Sequence, residues 1–170
     1  MAAKKYLRML SGRVTELAAT VQSAGAGNDG DLVALDSAGK IDSSVLPTGV
    51  GAETKVVPAS EALTAGQWVN FYLDTATEKC RKADATTQGK EADGFVLAGV
   101  NSGANATVYL TGINNQLSGL TKGAMYYLHT TAGAGSATAP SGSGNVVQAL
   151  GKSLSDTEIS FHPGTPVTLA

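Results

Sequence analysis

Residues 94–128 read GFVLAGVNSGANATVYLTGINNQLSGLTKGAMYYL, and this stretch decides the fold class. The run 95–100 is almost wholly apolar, as in a strand that is buried on both faces. Turn residues at 101–105 separate it from a second extended run at 107–110, and a further turn leads into a third run. Apolar runs bounded by Gly, Asn and Ser predict strands and hairpins. The stretch carries no active-site motif and predicts a compact antiparallel β core.

The composition supports this fold class for the rest of the chain. Gly accounts for 21 of 170 residues and charged residues for only 15%, which is typical of short strands and turns rather than of a helical bundle. Eight of the nine aromatic residues follow a flexible joint at 48–57, and aromatic residues dominate core burial. We therefore predict an arm at 1–53 and a mainly β domain at 54–170, built as a small antiparallel barrel or sandwich.

The predicted β domain shows internal similarity. A Leu-Thr-x-Gly turn followed by an extended run occurs at 63–66 and again at 120–123. Two further segments of each half are also alike, 98–100 with 150–152 and 106–110 with 157–161. Two such halves are expected to close on each other and hide their strand edges.

The arm begins with a heptad-like pattern. Leu7, Leu10, Val14, Leu17 and Val21 are spaced by 3, 4, 3 and 4 residues, which predicts an amphipathic helix over 3–22. A helix this short must bury its apolar side, because short helices are marginal in water. Its partner is either the β domain of the same chain, other copies about a symmetry axis, or a different protein.

No catalytic set emerges from the sequence, so we expect no enzyme activity, no metal site and no cofactor. His129 and His162 lie in turn or surface contexts, and Cys80 is the sole cysteine, which leaves no disulfide. No nucleophile elbow, zinc motif or paired carboxylates occur. The net charge of −2 argues against binding to nucleic acid, and no apolar run suits a signal peptide or a membrane span.

Two stretches resemble structural proteins of tailed bacteriophages. Residues 27–47, GNDGDLVALDSAGKIDSSVLP, resemble an element that lies near the symmetry axis, or at the junction to a β domain, in trimeric fibres and capsid decoration proteins. LTKGAMYYL, GNVVQALGKSLS and FHPG, between Gly119 and Gly164, resemble the small β domain of capsid cement proteins and of some fibres. Neither stretch carries a catalytic residue.

The resemblance implies a capsid decoration (cement) protein. Such a protein stands as a homotrimer on the outer surface of a phage head, contacts the major capsid protein and stabilises the shell; it is made in the host cytoplasm. The alternative is a head or tail fibre component for host attachment, and a virion-borne glycan hydrolase is the least supported. The residues expected at the oligomer or capsid interface are Leu7, Leu10, Val14, Leu17, Val21, Leu35, Ile41, Val45, Leu46 and Pro47.

Overall fold

The computed structural model describes residues 4–46 and 51–170, which fold mainly as antiparallel β-strands. The predicted mainly β class is therefore confirmed. The chain divides into two compact units, Met1–Gly51 and Ala52–Ala170, called here the N-terminal and the C-terminal unit. The predicted boundary at 53/54 lies two residues beyond this division.

The N-terminal unit begins with a β-hairpin, so the predicted helix over 3–22 is wrong. Strand β1 (Lys5–Leu10) pairs antiparallel with β2 (Arg13–Ala18). The two residues between them, Ser11 and Gly12, have φ angles of 49° and 78°, as a type I′ turn requires at both central positions. A helix would place Gly12 in its interior at a cost of about 1 kcal/mol relative to Ala, whereas the turn needs the positive φ that Gly supplies.

The remainder of the N-terminal unit is held by turns and one bridge. Thr20 and Val33 form an isolated parallel bridge, and the Ala34 N–H donates to the Thr20 carbonyl at 2.8 Å. Short 3₁₀ turns span Gly25–Asn28 and Ser43–Val45. Within the N-terminal unit, the described residues after β2 form no strand longer than this bridge.

The first sheet of the C-terminal unit has five antiparallel strands in the order β3-β7-β6-β4-β5. They are β3 (Thr54–Pro58), β4 (Trp68–Asp74), β5 (Thr77–Lys82), β6 (Gly94–Val96) and β7 (Asn105–Tyr109).

This sheet curls around a core of its own, but it does not close. Its inner side chains are buried together: Val57, Ala59, Leu63, Val69, Cys80, Val96, Ala106 and Val108. The edge strands β3 and β5 approach each other, and the bridge between Ala59 and Cys80 joins the ends of the curl. No described sheet closes into a barrel. The predicted barrel is therefore replaced by an open, strongly curved sheet.

The second sheet also has five antiparallel strands, in the order β8-β13-β12-β9-β10. They are β8 (Gly112–Asn114), β9 (Met125–Leu128), β10 (Gly135–Ser136), β12 (Ala149–Ser153) and β13 (Ile159–Phe161). Two short strands, β11 (Val146–Val147) and β14 (Val167–Thr168), pair separately.

A shared aromatic cluster joins the two sheets. Trp68 and Phe95 of the first sheet pack with Phe161 of the second, with ring centroids 5.1 Å (Trp68 to Phe161) and 5.8 Å (Phe95 to Phe161) apart. All three rings are buried, and Tyr126 and Leu128 of β9 belong to the same cluster. The C-terminal unit therefore carries two cores, one inside the first sheet and one between the sheets.

The two sheets repeat one topology. Strands β3, β4, β5, β6 and β7 have the same neighbours as β8, β9, β10, β12 and β13. The Gly66 N–H donates to the Val96 carbonyl at 2.8 Å, and the Gly123 N–H donates to the Ser153 carbonyl at 2.9 Å. The two donors are 57 residues apart in sequence, and so are the two acceptors. Ladder pairs correspond at the same offset: Trp68–Phe95 with Met125–Lys152, and Val69–Gly94 with Tyr126–Gly151.

Glycine occupies one equivalent position in both repeats for the same steric reason. A Cβ on Gly94 would lie 2.6 Å from the carbonyl oxygen of Tyr109, and a Cβ on Gly151 would overlap the equivalent carbonyl of Ser160. Gly151 also has a φ of 147°, which side chains rarely adopt. The sequence alignment of the halves paired Gly151 with Gly99 instead, because only the strand register reveals Gly94 as its counterpart.

We predict that Gly94→Ala and Gly151→Ala each destabilise the C-terminal unit by about 1–3 kcal/mol, with the larger loss at Gly151, because a methyl group must displace backbone. Gly99→Ala is the matched control, since its Cβ would meet the Leu63 carbonyl oxygen at an ordinary 3.7 Å. Denaturant unfolding followed by the fluorescence of Trp68, the sole tryptophan, measures the effect. Equal stability of all three variants would contradict the steric account.

Candidate assembly surface of the N-terminal unit

One face of the N-terminal hairpin presents apolar side chains to solvent. Because side chains alternate along a strand, Leu7, Met9 and Val14 lie on the same face, and Met9 is directly opposite Val14. Their side chains are 70%, 64% and 64% exposed. An ion pair between Lys5 and Glu16 lies at the end of this face. We call Leu7, Met9 and Val14 the apolar hairpin face.

The opposite face of the hairpin is anchored to the rest of the N-terminal unit. The Tyr6 hydroxyl donates to Asp31 at 3.4 Å, and an Arg8 guanidinium N–H donates to the Gly30 carbonyl at 3.0 Å. The Thr20 hydroxyl donates to the same Asp31 carboxylate at 2.9 Å. These bonds fix which side of the hairpin faces inward, so the apolar hairpin face is left outward.

The ten predicted interface residues are distributed over both faces of the hairpin and over the segment that follows. Leu7 and Val14 share the apolar hairpin face, whereas Leu10 and Leu17 lie on the opposite face, so the predicted seam does not form. Six of the ten are exposed, namely Leu7, Leu10, Val14, Leu35, Ile41 and Leu46. Leu17, Val21 and Val45 are half-buried. Pro47 lies outside the described residues.

Sequence reasoning missed three exposed apolar residues of the same unit. Met9 belongs to the apolar hairpin face, and Leu32 and Val33 are more than half exposed. In a helix, Met9 lies off the predicted apolar seam. A hairpin that turns at Ser11-Gly12, with side chains alternating along each strand, places Met9 on the same face as Leu7. Leu32 and Val33 follow the turn at Gly30 and precede Leu35, which is among the predicted interface residues.

The N-terminal unit has almost no core of its own. Ala34 is its one buried apolar residue among those described. A two-stranded hairpin is marginal in water unless a further layer covers its apolar face. Since exposed apolar clusters of this kind mark interaction sites, the unit has the properties of an assembly element.

Hydrogen-bond donors around two carboxylates organise the loops behind the hairpin. Asn28 and Thr20 donate to Asp31, and these bonds lower the pKa of its carboxyl group. Bonds from Ser44 lower the pKa of Asp42, the N-cap of the second 3₁₀ turn. The hollow of about 600 Å³ beside them is lined by Thr20, Asn28 and Asp31, whose polar groups already satisfy one another.

The residues considered for chemistry are not brought together. Cys80 is fully buried in the first sheet, and burial raises the pKa of its thiol. His129 accepts a hydrogen bond from the Thr131 N–H at 2.9 Å, and His162 is exposed. Within residues 4–46 and 51–170, no three His, Cys, Asp or Glu side chains are grouped as a metal would require. The same described residues include no helix that is long and apolar enough to span a membrane.

No protein-family model matches the chain, and no curated protein matches it.

We predict that acid loosens the loops of the N-terminal unit. The pKa of Asp31 is lower in the folded unit than its ordinary value of 3.8, so its contribution to stability is present above that value. This contribution is lost as the pH falls through the lower, folded pKa. Two-dimensional NMR of residues 20–34 should record the loss.

Asp31→Asn should remove much of this pH dependence. Asp29→Asn is the control in the same loop, because the Asp29 side chain makes no hydrogen bond within the described part of the chain. Unchanged spectra of residues 20–34 down to about pH 2 would contradict the role of Asp31.

Proposed function

We propose that the chain is a capsid decoration (cement) protein of a tailed bacteriophage, which binds the outer surface of the head as a homotrimer and stabilises it. The observation that carries the proposal is the exposed apolar hairpin face on a unit with almost no core. The C-terminal unit, in contrast, buries its own core. A protein that acts by assembly requires a folded domain, here the C-terminal unit, and an exposed apolar surface for its partner, here the apolar hairpin face.

The trimer comes from the resemblance of residues 27–47 to trimeric phage proteins, and the hairpin supplies a physical reason for association. Burying a Leu, Met or Val side chain is worth about 1.5–3 kcal/mol. Three copies that cover one another's apolar hairpin faces would give the N-terminal unit the core that it lacks alone.

Shell stabilisation follows from multivalency. The packaged genome loads the joints between subunits of the major capsid protein, and a trimer that binds across a joint adds buried area there. Leu35, Ile41 and Leu46 are exposed in the segment after the hairpin and are the candidates for contacts with the shell. One weak contact per copy suffices, because tethering three contacts raises avidity by about 10²–10⁴.

The second candidate function is a fibre component that attaches to a host. One observation favours it: a hollow of about 260 Å³ in the C-terminal unit is lined by several hydroxyl and amide groups together with His129. Thr130, Ser136, Thr138, Ser141 and Asn145 contribute hydroxyl and amide groups there. Such groups suit a neutral polyhydroxy ligand, for example a surface glycan.

Heads with and without the protein distinguish the two functions. If the chain is a cement protein, heads that lack it should release DNA at a lower temperature, and adding the purified protein back should restore retention. Virions that keep full head stability but lose adsorption to cells would contradict the cement function and support the fibre.

We predict that replacing Met9 with Gln and Val14 with Thr shifts the monomer–trimer equilibrium. The loss of two buried side chains is worth about 3 kcal/mol per copy, or about 9 kcal/mol per trimer. Because the midpoint concentration varies as the square root of the trimer's dissociation constant, trimers should require about a thousandfold higher concentration. Sedimentation velocity measures the shift, and the fluorescence of Trp68 verifies that the C-terminal unit stays folded.

Leu73→Thr is the matched control for this pair. Leu73 is 73% exposed but lies on β4 of the C-terminal unit, so its loss should leave the association unchanged. A hairpin variant that associates like the wild type would rule out the apolar hairpin face as the contact between copies.

A further inference from the structure

Corresponding side chains of the two repeats have different surroundings. Leu63, Val69 and Val108 belong to the core inside the first sheet. Their counterparts in the second sheet point into the cluster between the sheets; they are Leu120, Tyr126 and Ile159. The second sheet therefore uses its inner face to hold the first sheet, and the repeats are stacked head to tail.

The first sheet contributes its outer face to the cluster between the sheets. Trp68, Phe95 and Tyr109 form one row across its paired strands, and Leu97 lies just beyond β6. All four side chains belong to or pack against the cluster between the sheets. The outer face of the first repeat is therefore an interface within the chain.

The same row on the second sheet is uncovered. Met125, Lys152, Ser160 and Ile113 are register neighbours across β9, β12, β13 and β8. Met125 is 45% exposed and Ile113 is 48% exposed. Leu154, the counterpart of Leu97 at the offset of 57 residues, is 43% exposed. We call these five residues the outer face of the second sheet.

The charge on this face restricts what can cover it. Lys152 lies between Met125 and Ser160 in the row, and it forms no ion pair within the described residues. If two copies met through this face about a twofold axis, their Lys152 side chains would be brought together, which is unfavourable. Head-to-tail stacking on another copy is also excluded, because the inner face of the first sheet is already filled.

We propose that the outer face of the second sheet binds the major capsid protein, at a surface that presents a carboxylate between apolar side chains. The carboxylate would pair with Lys152, and the apolar neighbours would cover Met125, Ile113 and Leu154. This inference rests on the proposed function and adds a contact from the C-terminal unit to those of the N-terminal unit. The outer face of the second sheet would then pack against the shell, as the outer face of the first sheet packs against the second sheet within the chain.

The test measures binding of the full-length protein to phage heads that lack it. Lys152→Glu should weaken binding about tenfold or more, because it sets two carboxylates against each other. Lys152→Gln, which removes the charge without creating repulsion, should weaken binding less. The double variant Met125→Thr, Ile113→Thr should also bind more weakly, and all variants should keep the oligomeric state of the wild type.

Lys90→Glu is the matched control, since it makes the same charge change in the C-terminal unit away from this face. Wild-type affinity of Lys152→Glu and of the double variant would overturn the inference while leaving the proposed function intact. Loss of the trimer in these variants would overturn it in favour of a second copy, and loss of adsorption to cells with full head occupancy would overturn it in favour of a host ligand. Failure of the wild-type protein to bind heads would overturn the proposed function and this inference together.

Discussion

The packing of Trp68 against Phe161 is the interaction on which the C-terminal unit depends. The two rings come from different repeats, with centroids 5.1 Å apart, and Phe95 contacts both. The indole N–H of Trp68 is buried without a hydrogen-bond partner in the described part of the chain. Its cost of about 1–3 kcal/mol is offset by burying about 150–250 Å² of ring surface, worth about 4–6 kcal/mol. Burial of the aromatic side chain therefore outweighs the unpaired donor.

The same dependence on burial separates the two units. The C-terminal unit buries two apolar clusters of its own, because the inner face of the second sheet covers the outer face of the first. The N-terminal unit organises its polar groups around Asp31 and leaves Leu7, Met9 and Val14 outside. Its stability should then depend on protein concentration, as for any fold completed by association. The proposed role in assembly rests on this division.

Much of the C-terminal unit could be predicted from sequence, because apolar runs and glycine turns define strands locally. The Leu-Thr-x-Gly repeats also indicated the duplication. The equivalence of Gly94 and Gly151 could not be predicted, since it depends on which strands pair and in which register. The stacking of the repeats, and with it the uncovered row around Lys152, likewise depends on long-range pairing.

The N-terminal hairpin was mispredicted for a definable reason. The spacing from Leu7 to Val21 satisfies a heptad, but Gly12 interrupts it and, together with Ser11, forms a two-residue turn. Local turn geometry outweighs apolar spacing in so short a segment, because a helix of this length gains little from propensity alone. The sequence predicted an amphipathic arm, whereas the face that combines Leu7 and Val14 with Met9 could not be found without the hairpin.

A cryo-EM reconstruction of phage heads that carry the chain tests the central claim most directly. The account predicts three copies on the outer surface of the head, joined at their N-terminal hairpins, with the apolar hairpin faces enclosed. Density for isolated copies whose hairpins face solvent, or heads that carry no copies on their surface, would contradict it.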